Sequence, residues 1–562
     1  MPGFLYARSR TTGSLHPARR ARLETLARRL APDNIEYRPP LLAERDGEVL
    51  AVFNGTAAVQ LELTSVCLGS IFACAAPWWK VDSGSPDGSF GLLRSDGGAT
   101  ELVSDAVGTR TLWYAQTKEE FVASTSQRAI VMWLQSYECN ADVFAWQLSS
   151  GTLGPGLSWD RRIHALPPAS RLKLDRDTWL TELHTERVEY RASSEPPERQ
   201  RGELLDAITE TFRGLELDTA RCALALSGGY DSRMILLMLK DRPRLHTVTW
   251  GQRSALTDRR NDANIAQQLA MKLQTFHSYF AIETPTEGVE EVLDRFVRLG
   301  EGRTESLSGY VDGFAVWKRL HERGWSGLVR GDEAFGCRVA PTPADVYRNM
   351  KCNVLTDFAI EQKGPLADLQ SEQRRPDHLE QRPSESLQAW RDRLNAEFEL
   401  PYVIGPLNDL KYGYLDVVHP LISRRIVEQA RRLPDDLRTD KAAFRAIVEE
   451  AALDVPFARN PAIAPPEDVL RQPQMLRALR AELRRQSEGS GTLAALAGHA
   501  VELLRHFGSG GRSLPTGFAR VVDNVQRRLP RARRLSPLRV AFRTYIIGKM
   551  QSQLREDARA FR

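Results

Sequence analysis

Cysteine is scarce in this 562-residue chain: six are scattered along it and no two form a C-x-x-C pair. That spacing argues against a zinc site or a disulfide scaffold and suits a reducing compartment. Long apolar runs are missing too. The N-terminal stretch MPGFLYARSRTTGSLHPARRARL has no apolar core of signal-peptide length. The longest uncharged run, residues 63–79, approaches membrane length, but it holds Gly, Pro, Ser and two Cys, so buried strands are its expected form. The chain is therefore expected to be soluble and cytoplasmic, with no membrane partner. Nor does a cysteine follow the initiator Met: the second and third residues are Pro2 and Gly3.

What is present is ordinary in bulk. The chain is 42% hydrophobic and 27% charged, as in soluble globular proteins. Its length exceeds what one core usually holds, so two or three domains are expected. The net charge of +5 is uneven. Residues 518–549 carry nine cations, among them Arg520, Arg539, Arg543 and Lys549, against Asp523 alone. The segment reads as a solvated helix face or as a docking surface for an acidic partner. It has no RNA-binding motif, so nucleic acid is not an expected partner.

The organisation changes near residue 195. From 49 to 185 the chain reads as short strands separated by turns, such as VLAVFNG, GSFGLLRS and SRLKLD, with one helix near ADVFAWQLSS. The polar, proline-bearing RASSEPPERQR reads as a linker. Helix and strand patterns then alternate: helix 198–214, strand 222–226, helix 231–241, strand 245–250, helix 259–273. This is the signature of a parallel sheet with crossover helices. Residues 363–386 read as an excursion from that fold, and the C-terminal part as mostly helical. The expected domains are 1–195, 196–480 and a basic helical extension, 481–562.

The chemistry concentrates in LALSGGYDSRMILLMLK, residues 224–240. A strand that ends in Ser227, Gly228 and Gly229 and turns into a helix at Asp231 sets backbone N–H groups at a helix N-terminus, a geometry that binds phosphate. It lacks the Lys of a Walker A loop and is not a G-x-G-x-x-G turn. Ser-Gly-Gly-x-Asp-Ser, closed by Ser232, is the pattern of the ATP pyrophosphatase loop, so ATP and Mg²⁺ are the expected cofactors. Asp231 is a candidate metal ligand. A second acidic turn, Asp332–Glu333 in GLVRGDEAFG, suits the end of another parallel strand, where ligands gather, and offers Asp332 as the second ligand.

With these motifs in order, the chain resembles the asparagine synthetase superfamily from about residue 49 to 460. FNG at 53–55, DGSFGLL at 87–93, DAVGTRTLWYA at 105–115 and HPLISRRIVEQARRLPDDLRTDKAAFR at 419–445 are similar to that family's pieces. The resemblance implies an α/β fold: an Ntn-hydrolase-like, glutaminase-type sandwich followed by an ATP pyrophosphatase domain. It implies a pyrophosphate site at Ser227, Gly228, Gly229, Asp231 and Ser232, and Mg²⁺ on Asp231 and Asp332. Lys441 matches a family Lys and Asp416 takes the place of a Glu, so both are candidate catalytic residues, Asp416 as the general base.

The departures carry information. Family glutaminases use an N-terminal Cys; with Pro2 and Gly3 there and the nearest Cys at Cys67, glutamine hydrolysis is not expected, although Asn54 and Gly55 persist. A family Glu falls on Val329 and a family Lys on Pro461. Branches without the Cys resemble ring-closing ligases, which implies an AMP-forming amide ligase, first of all a lasso peptide macrolactam cyclase. Its implied partners are a precursor peptide and a leader-binding protein or leader peptidase. Another natural-product amide ligase, a β-lactam synthetase, an ammonia-dependent asparagine synthetase and an inactive binding or regulatory homologue stay open.

Overall fold

The structure, a computed structural model, describes residues 3–11, 17–55, 59–241, 244–282, 287–361, 363–451, 453–505, 507 and 533–561. It is a mixed α/β protein: two antiparallel sheets, one parallel sheet and a helical C-terminal part.

The first sheet runs Leu41–Arg45, Glu48–Phe53, Gly3–Ser9, Glu120–Ser124, Trp113–Gln116 and His164–Ala165 in spatial order, every pair antiparallel. The second runs Val59–Glu62, Ser65–Ala73, Asp87–Ser95, Ala99–Ser104, Ser170–Asp175 and Thr181–Thr185, also antiparallel. Strand alternation assigns the faces. Phe4 and Tyr6 of Gly3–Ser9 meet Leu68, Leu93 and Leu102 of the second sheet in one core. Leu5 and Ala7 turn the other way, onto Leu23, Leu26 and Leu30 of the helix Pro17–Leu30. A strand buried on both faces reads as an unbroken apolar run, as GFLYA does.

The parallel sheet has the spatial order Phe276–Ala281, His246–Gly251, Cys222–Ala225, Gly327–Val329, Asp416–Val418. In chain order that is 3-2-1-4-5. The topology reverses between the first and fourth strands, and in such sheets ligands bind outside the carboxyl ends at that point.

Three sequence expectations fail here. Residues 191–201 are not a free linker, because the Arg191 and Ser193 N–H groups donate to the carbonyls of Arg431 and Arg432. The excursion at 363–386 is folded onto the core, with Leu366, Leu369 and Leu379 buried and a helix at Pro365–Glu372. The C-terminal extension is not peripheral. Its helix Pro537–Asp557 is wedged between Asp142–Ser150 of the first part and Val289–Gly300 of the second, burying Phe542, Tyr545, Ile546 and Met550. Asp557 is fully buried and takes the guanidiniums of Arg128 and Arg29. Arg539, Arg543 and Lys549 pair with Glu305, Glu467 and Asp294 rather than forming a solvated basic face. Residues 518–532 of that basic segment lie outside the described residues.

Candidate active site

The strand Cys222–Ala225 delivers Leu226 and then Ser227, Gly228 and Gly229 to the switch point, and the helix Tyr230–Leu239 starts there. Gly228 is a steric requirement: a Cβ on it would stand 2.4 Å from the Ala458 Cβ and 2.9 Å from Ile265. The loop is tied by its own side chains. The Ser227 N–H donates to the Ser232 hydroxyl at 3.0 Å, the two hydroxyls lie 2.9 Å apart, and the Gly229 N–H donates to the Ser227 hydroxyl at 3.2 Å. The Gly228 N–H donates to the Asp262 carboxylate at 3.1 Å, whose carboxyl is pushed up by burial. The uncapped helix end is thus one step further on. Gly229 caps the helix with no side chain, and Tyr230 and Asp231 line a cleft of about 530 Å³. The macrodipole and the first-turn amides there favour an anion.

The acidic turn comes close because Gly331 has no side chain; a Cβ on it would lie 2.9 Å from the Asp231 Cβ. Lys441 joins the two carboxylates at the mouth. Its ammonium donates to Asp231 at 2.9 and 3.1 Å and sits 2.7 Å from Glu333. Burial raises Asp231, with Lys441 opposing and Asp332 adding to the rise. Burial likewise lifts Glu333 to about 7, against the pull of Lys441. Burial works against the charge of Lys441, but the two carboxylates outweigh it and hold the ammonium protonated. Asp440 and Lys441 both adopt left-handed backbone, φ 55° and 59°, where non-glycine residues cost about 1 kcal/mol or more each. Strain of this kind persists where the surroundings over-determine a position, and here it aims an ammonium.

Asp332 lines the same cleft as Asp231 and is held by three partners. One of its oxygens takes Arg330 at 3.2 Å; the other takes the Asn408 amide at 3.2 Å and lies 3.0 Å from His419 Nδ1. Burial opposes its charge, but Arg330, His419 and Asn408 prevail and hold the carboxyl far below the usual range. Asp231, Asp332 and Glu333 all line the cleft; Lys441 bridges Asp231 and Glu333, while Arg330, Asn408 and His419 hold Asp332. Among the described residues no three His, Cys, Asp or Glu side chains gather as a metal cage. Mg²⁺ commonly takes one or two carboxylates and completes its shell with phosphates and water. Asp231, with Asp332 or Glu333 beside it in the cleft, fits an ion of that kind, arriving with a nucleotide.

Asp416 is not in the site. It opens its strand, paired in register with Gly327, at the end of the sheet opposite the cleft. Its carboxylate is buried against Arg110 and accepts the Val417 N–H at 2.8 Å. An ion pair that joins the two halves of the protein is no proton acceptor for a substrate. The residue this strand delivers to the carboxyl end is His419, fully buried beside Asp332. The sequence rule that ligands gather at carboxyl ends, applied to the three residues Asp416–Val418, would have picked His419. Pro461 stands on a loop whose Ala458 N–H donates to the Gly228 carbonyl, and its own carbonyl accepts from Asn261. The cations that do line the cleft are Arg338, Lys441 and Arg445, and its far wall carries Glu399. Burial raises the Glu399 carboxyl, with Lys351 opposing. Arg445 closes the motif-bearing stretch 419–445 and Arg338 lies on the loop after the acidic turn, whereas Glu399 has no motif signal, because a helical segment distant in sequence brings it in.

At the other end of the molecule, Asn54 and Gly55 follow the strand Glu48–Phe53, whose Phe53 pairs with Gly3. Cys67 is fully buried in the second sheet with its thiol pushed up to about 12 by burial, so it is no nucleophile for that position. The family-like motifs around it are structural: Asp105 accepts the N–H groups of Phe90, Val107 and Thr109, and Asp87 accepts that of Arg424.

Fold and site together define an α/β protein with a sandwich of antiparallel sheets and a helix N-terminus without a side-chain cap at the switch point of a parallel sheet. No known protein family's sequence profile matches the chain, and no curated protein matches it. Among solved structures, it is similar to a glutamine phosphoribosylpyrophosphate (PRPP) amidotransferase from B. subtilis, complexed with ADP and GMP. The identity is 8%, over 50% of this chain and 91% of that one, with a TM-score of 0.19. A likeness of that degree defines neither fold nor family.

Proposed function

We propose that this protein is an AMP-forming amide ligase, which activates a carboxylate with ATP and joins it to an amine. The observation that carries the reading is the uncapped first turn of Tyr230–Leu239 opening beside Asp231, Glu333 and Lys441 at the switch point. A bound Mg²⁺ would supply charge neutralisation on the leaving pyrophosphate. The first-turn amides of Tyr230–Leu239 hold the β,γ-phosphates and leave the α-phosphorus open, with the Ser227–Gly229 loop fixing that turn in place. The substrate carboxylate oxygen attacks that phosphorus and the bond to pyrophosphate breaks. Lys441, Arg338 and Arg445 offset the charge that develops. The amine nitrogen then attacks the acyl carbon, the bond to AMP oxygen breaks, and the amine's proton passes to a base. Glu399, a half-buried carboxylate on the cleft wall with a raised pKa, takes that role in place of Asp416.

The acid and amine belong to one substrate in this reading, because Cys67 does not supply a glutaminase thiolate near Asn54. We place a precursor peptide closed into a macrolactam first. Neither the folded 363–386 segment nor the buried Pro537–Asp557 helix lends that choice the wide mouth or docking face expected of them. The cleft volume suits a nucleotide and a small acyl group as well, so a small amino acid closing to a β-lactam is the second reading.

Exchange of labelled pyrophosphate into ATP tests the activity. Exchange that depends on an added acid and is lost in Asp231→Asn and Glu333→Gln is expected. Its absence with peptides bearing a free amine and an internal Asp or Glu, with carboxyethyl-type amino acids and with aspartate would leave a binding protein. A product lighter than its peptide by one water assigns the cyclase; a β-lactam or asparagine from ammonia reassigns the substrate.

A further inference from the structure

A second cleft, of about 270 Å³, opens on the other side of the segment Asn395–Ile404: Val403 lines it, whereas Ile404 lines the first. Its walls carry six cations, Arg303, Arg348, Lys351, Arg533, Arg539 and Arg543, and one carboxylate, Glu305. Several of these cations are already matched. Glu305 takes Arg539 and Arg543, Arg303 is paired with Asp409, Arg348 with Asp345, and Arg539 also with Glu467. Lys351 and Arg533 are not: among the described residues neither has a carboxylate within ion-pair distance. Arg533 donates to the Asn353 side-chain oxygen at 3.0 Å, a neutral partner. Lys351 is held in left-handed backbone at φ 55°. Like charges brought together in a recess repel. The crowding registers at Arg533, where burial and then Arg348, with Arg539 and Arg543 adding and Asp357 opposing, weaken its hold on its proton.

We propose that this cleft binds a compact oligophosphate anion, free pyrophosphate or triphosphate or the phosphate chain of a nucleotide, at a site separate from the one that Ser227 and Lys441 frame. The chemistry favours phosphate over a lone carboxylate. Guanidinium forks match phosphate oxygens in pairs, and a single carboxylate neutralises only one of the convergent charges. The small volume favours a compact ion over a folded partner. Lys351 is close enough to Glu399 to pull on its carboxyl, so the two clefts face each other across one helical segment.

Calorimetric titration of the full chain with inorganic triphosphate, without divalent metal and at low salt, tests the site. Binding is expected in the wild type and in Lys441→Met, and at least about tenfold weaker binding in the Lys351→Gln/Arg533→Gln double variant. Added salt should weaken the wild-type binding. The double variant without ligand should stay folded and melt close to wild type, because the repulsion it loses offsets the lost Arg533 contacts to Asn353 and Phe358. Binding of pyrophosphate and triphosphate alone assigns a free ion; binding of ADP and ATP alone, with the same variant sensitivity, assigns a nucleotide chain. The proposal fails if the double variant binds as wild type does, if Lys441→Met abolishes the binding, or if a glutamate-rich peptide binds in preference to triphosphate.

Discussion

Replacing Lys441 by Met separates a catalytic ammonium from a structural one. The ammonium sits 2.9 Å from Asp231 and 2.7 Å from Glu333, with about a quarter of the side chain exposed. At an effective dielectric near 20, each unit-charge pair at about 4 Å is worth ~4 kcal/mol. The net value is far smaller, because desolvation opposes it and the two carboxylates repel once bridged. Without the ammonium one carboxyl protonates, and Glu333, already near 7, is the one placed to do so. A stability loss of about 2 kcal/mol follows, below the cost of breaking a fully buried pair. The rate consequence is larger. Removing one fixed cation or donor from a developing phosphate charge costs about 10²–10³ in rate, or about 2.7–4 kcal/mol. The assay is pyrophosphate–ATP exchange per folded molecule, with far-UV circular dichroism and a melting curve on the same sample. Lys441→Met should keep its fold and lose at least a hundredfold in exchange. Lys441→Arg should recover part of it, since charge returns on a longer, forked side chain. A folded Lys441→Met that exchanges within threefold of wild type would refute the reasoning, and the left-handed pair at 440–441 would then be a structural kink.

Three further outcomes follow from the placements. Asp416→Asn strands the buried Arg110 charge, so it should destabilise the protein by about 2–4 kcal/mol in denaturant titration while turnover per folded molecule stays within a few-fold; a hundredfold turnover loss at unchanged stability would return Asp416 to the chemistry. Protein given glutamine, ATP and Mg²⁺ should release no glutamate above a blank, and steady release blocked by thiol alkylation would contradict the burial argument for Cys67. His277 is held down to about 4 by burial, with Thr247 on its Nδ1 at 2.9 Å. Its folded pKa lies below the unfolded value of about 6.5, so below that pH the unfolded chain binds a proton the fold refuses, and stability falls from pH 6.5 to 4 by up to about 3 kcal/mol. The stability of His277→Gln relative to wild type should therefore rise on going from pH 7 to pH 4; an unchanged gap would show that the imidazole titrates normally.

Much of the site was legible because it is local. Ser227, Gly228, Gly229, Asp231 and Ser232 lie within six residues, and the steric reasons for the glycines and the serine ties are short-range contacts that a motif can encode. The alternation after residue 196 announced the parallel sheet for a similar reason: periodicity of 2 and of 3.6 follows from which face of each element is buried. Lys441 was reachable only through its place in a longer pattern, since nothing in TDKAAFR marks an ammonium bridging two carboxylates 108 and 210 residues upstream. Asp416 went wrong on polarity. Its match to a family Glu made it a candidate base, but a parallel strand presents its first residue at one end and its last at the other, and three residues suffice to separate them.

Charge composition misled for a deeper reason. A segment with nine cations and one carboxylate looks solvated when its partners are sought within the segment. In the fold they come from elsewhere: Glu305 to Arg539 and Arg543, Glu467 to Arg539, Asp294 to Lys549. The apolar side chains of the same helix, Phe542, Tyr545, Ile546 and Met550, are what draw it inward, and they fill the seam between helices of both halves. Burial of four large side chains contributes on the order of 6–12 kcal/mol, enough to carry its cations into the interior provided each finds an acid there. Those cations then belong to the packing of the whole chain. Arg539 and Arg543 wall the second cleft because the helix that bears them is needed for the core, and the charge that gathers there follows from how the C-terminal helix closes the fold.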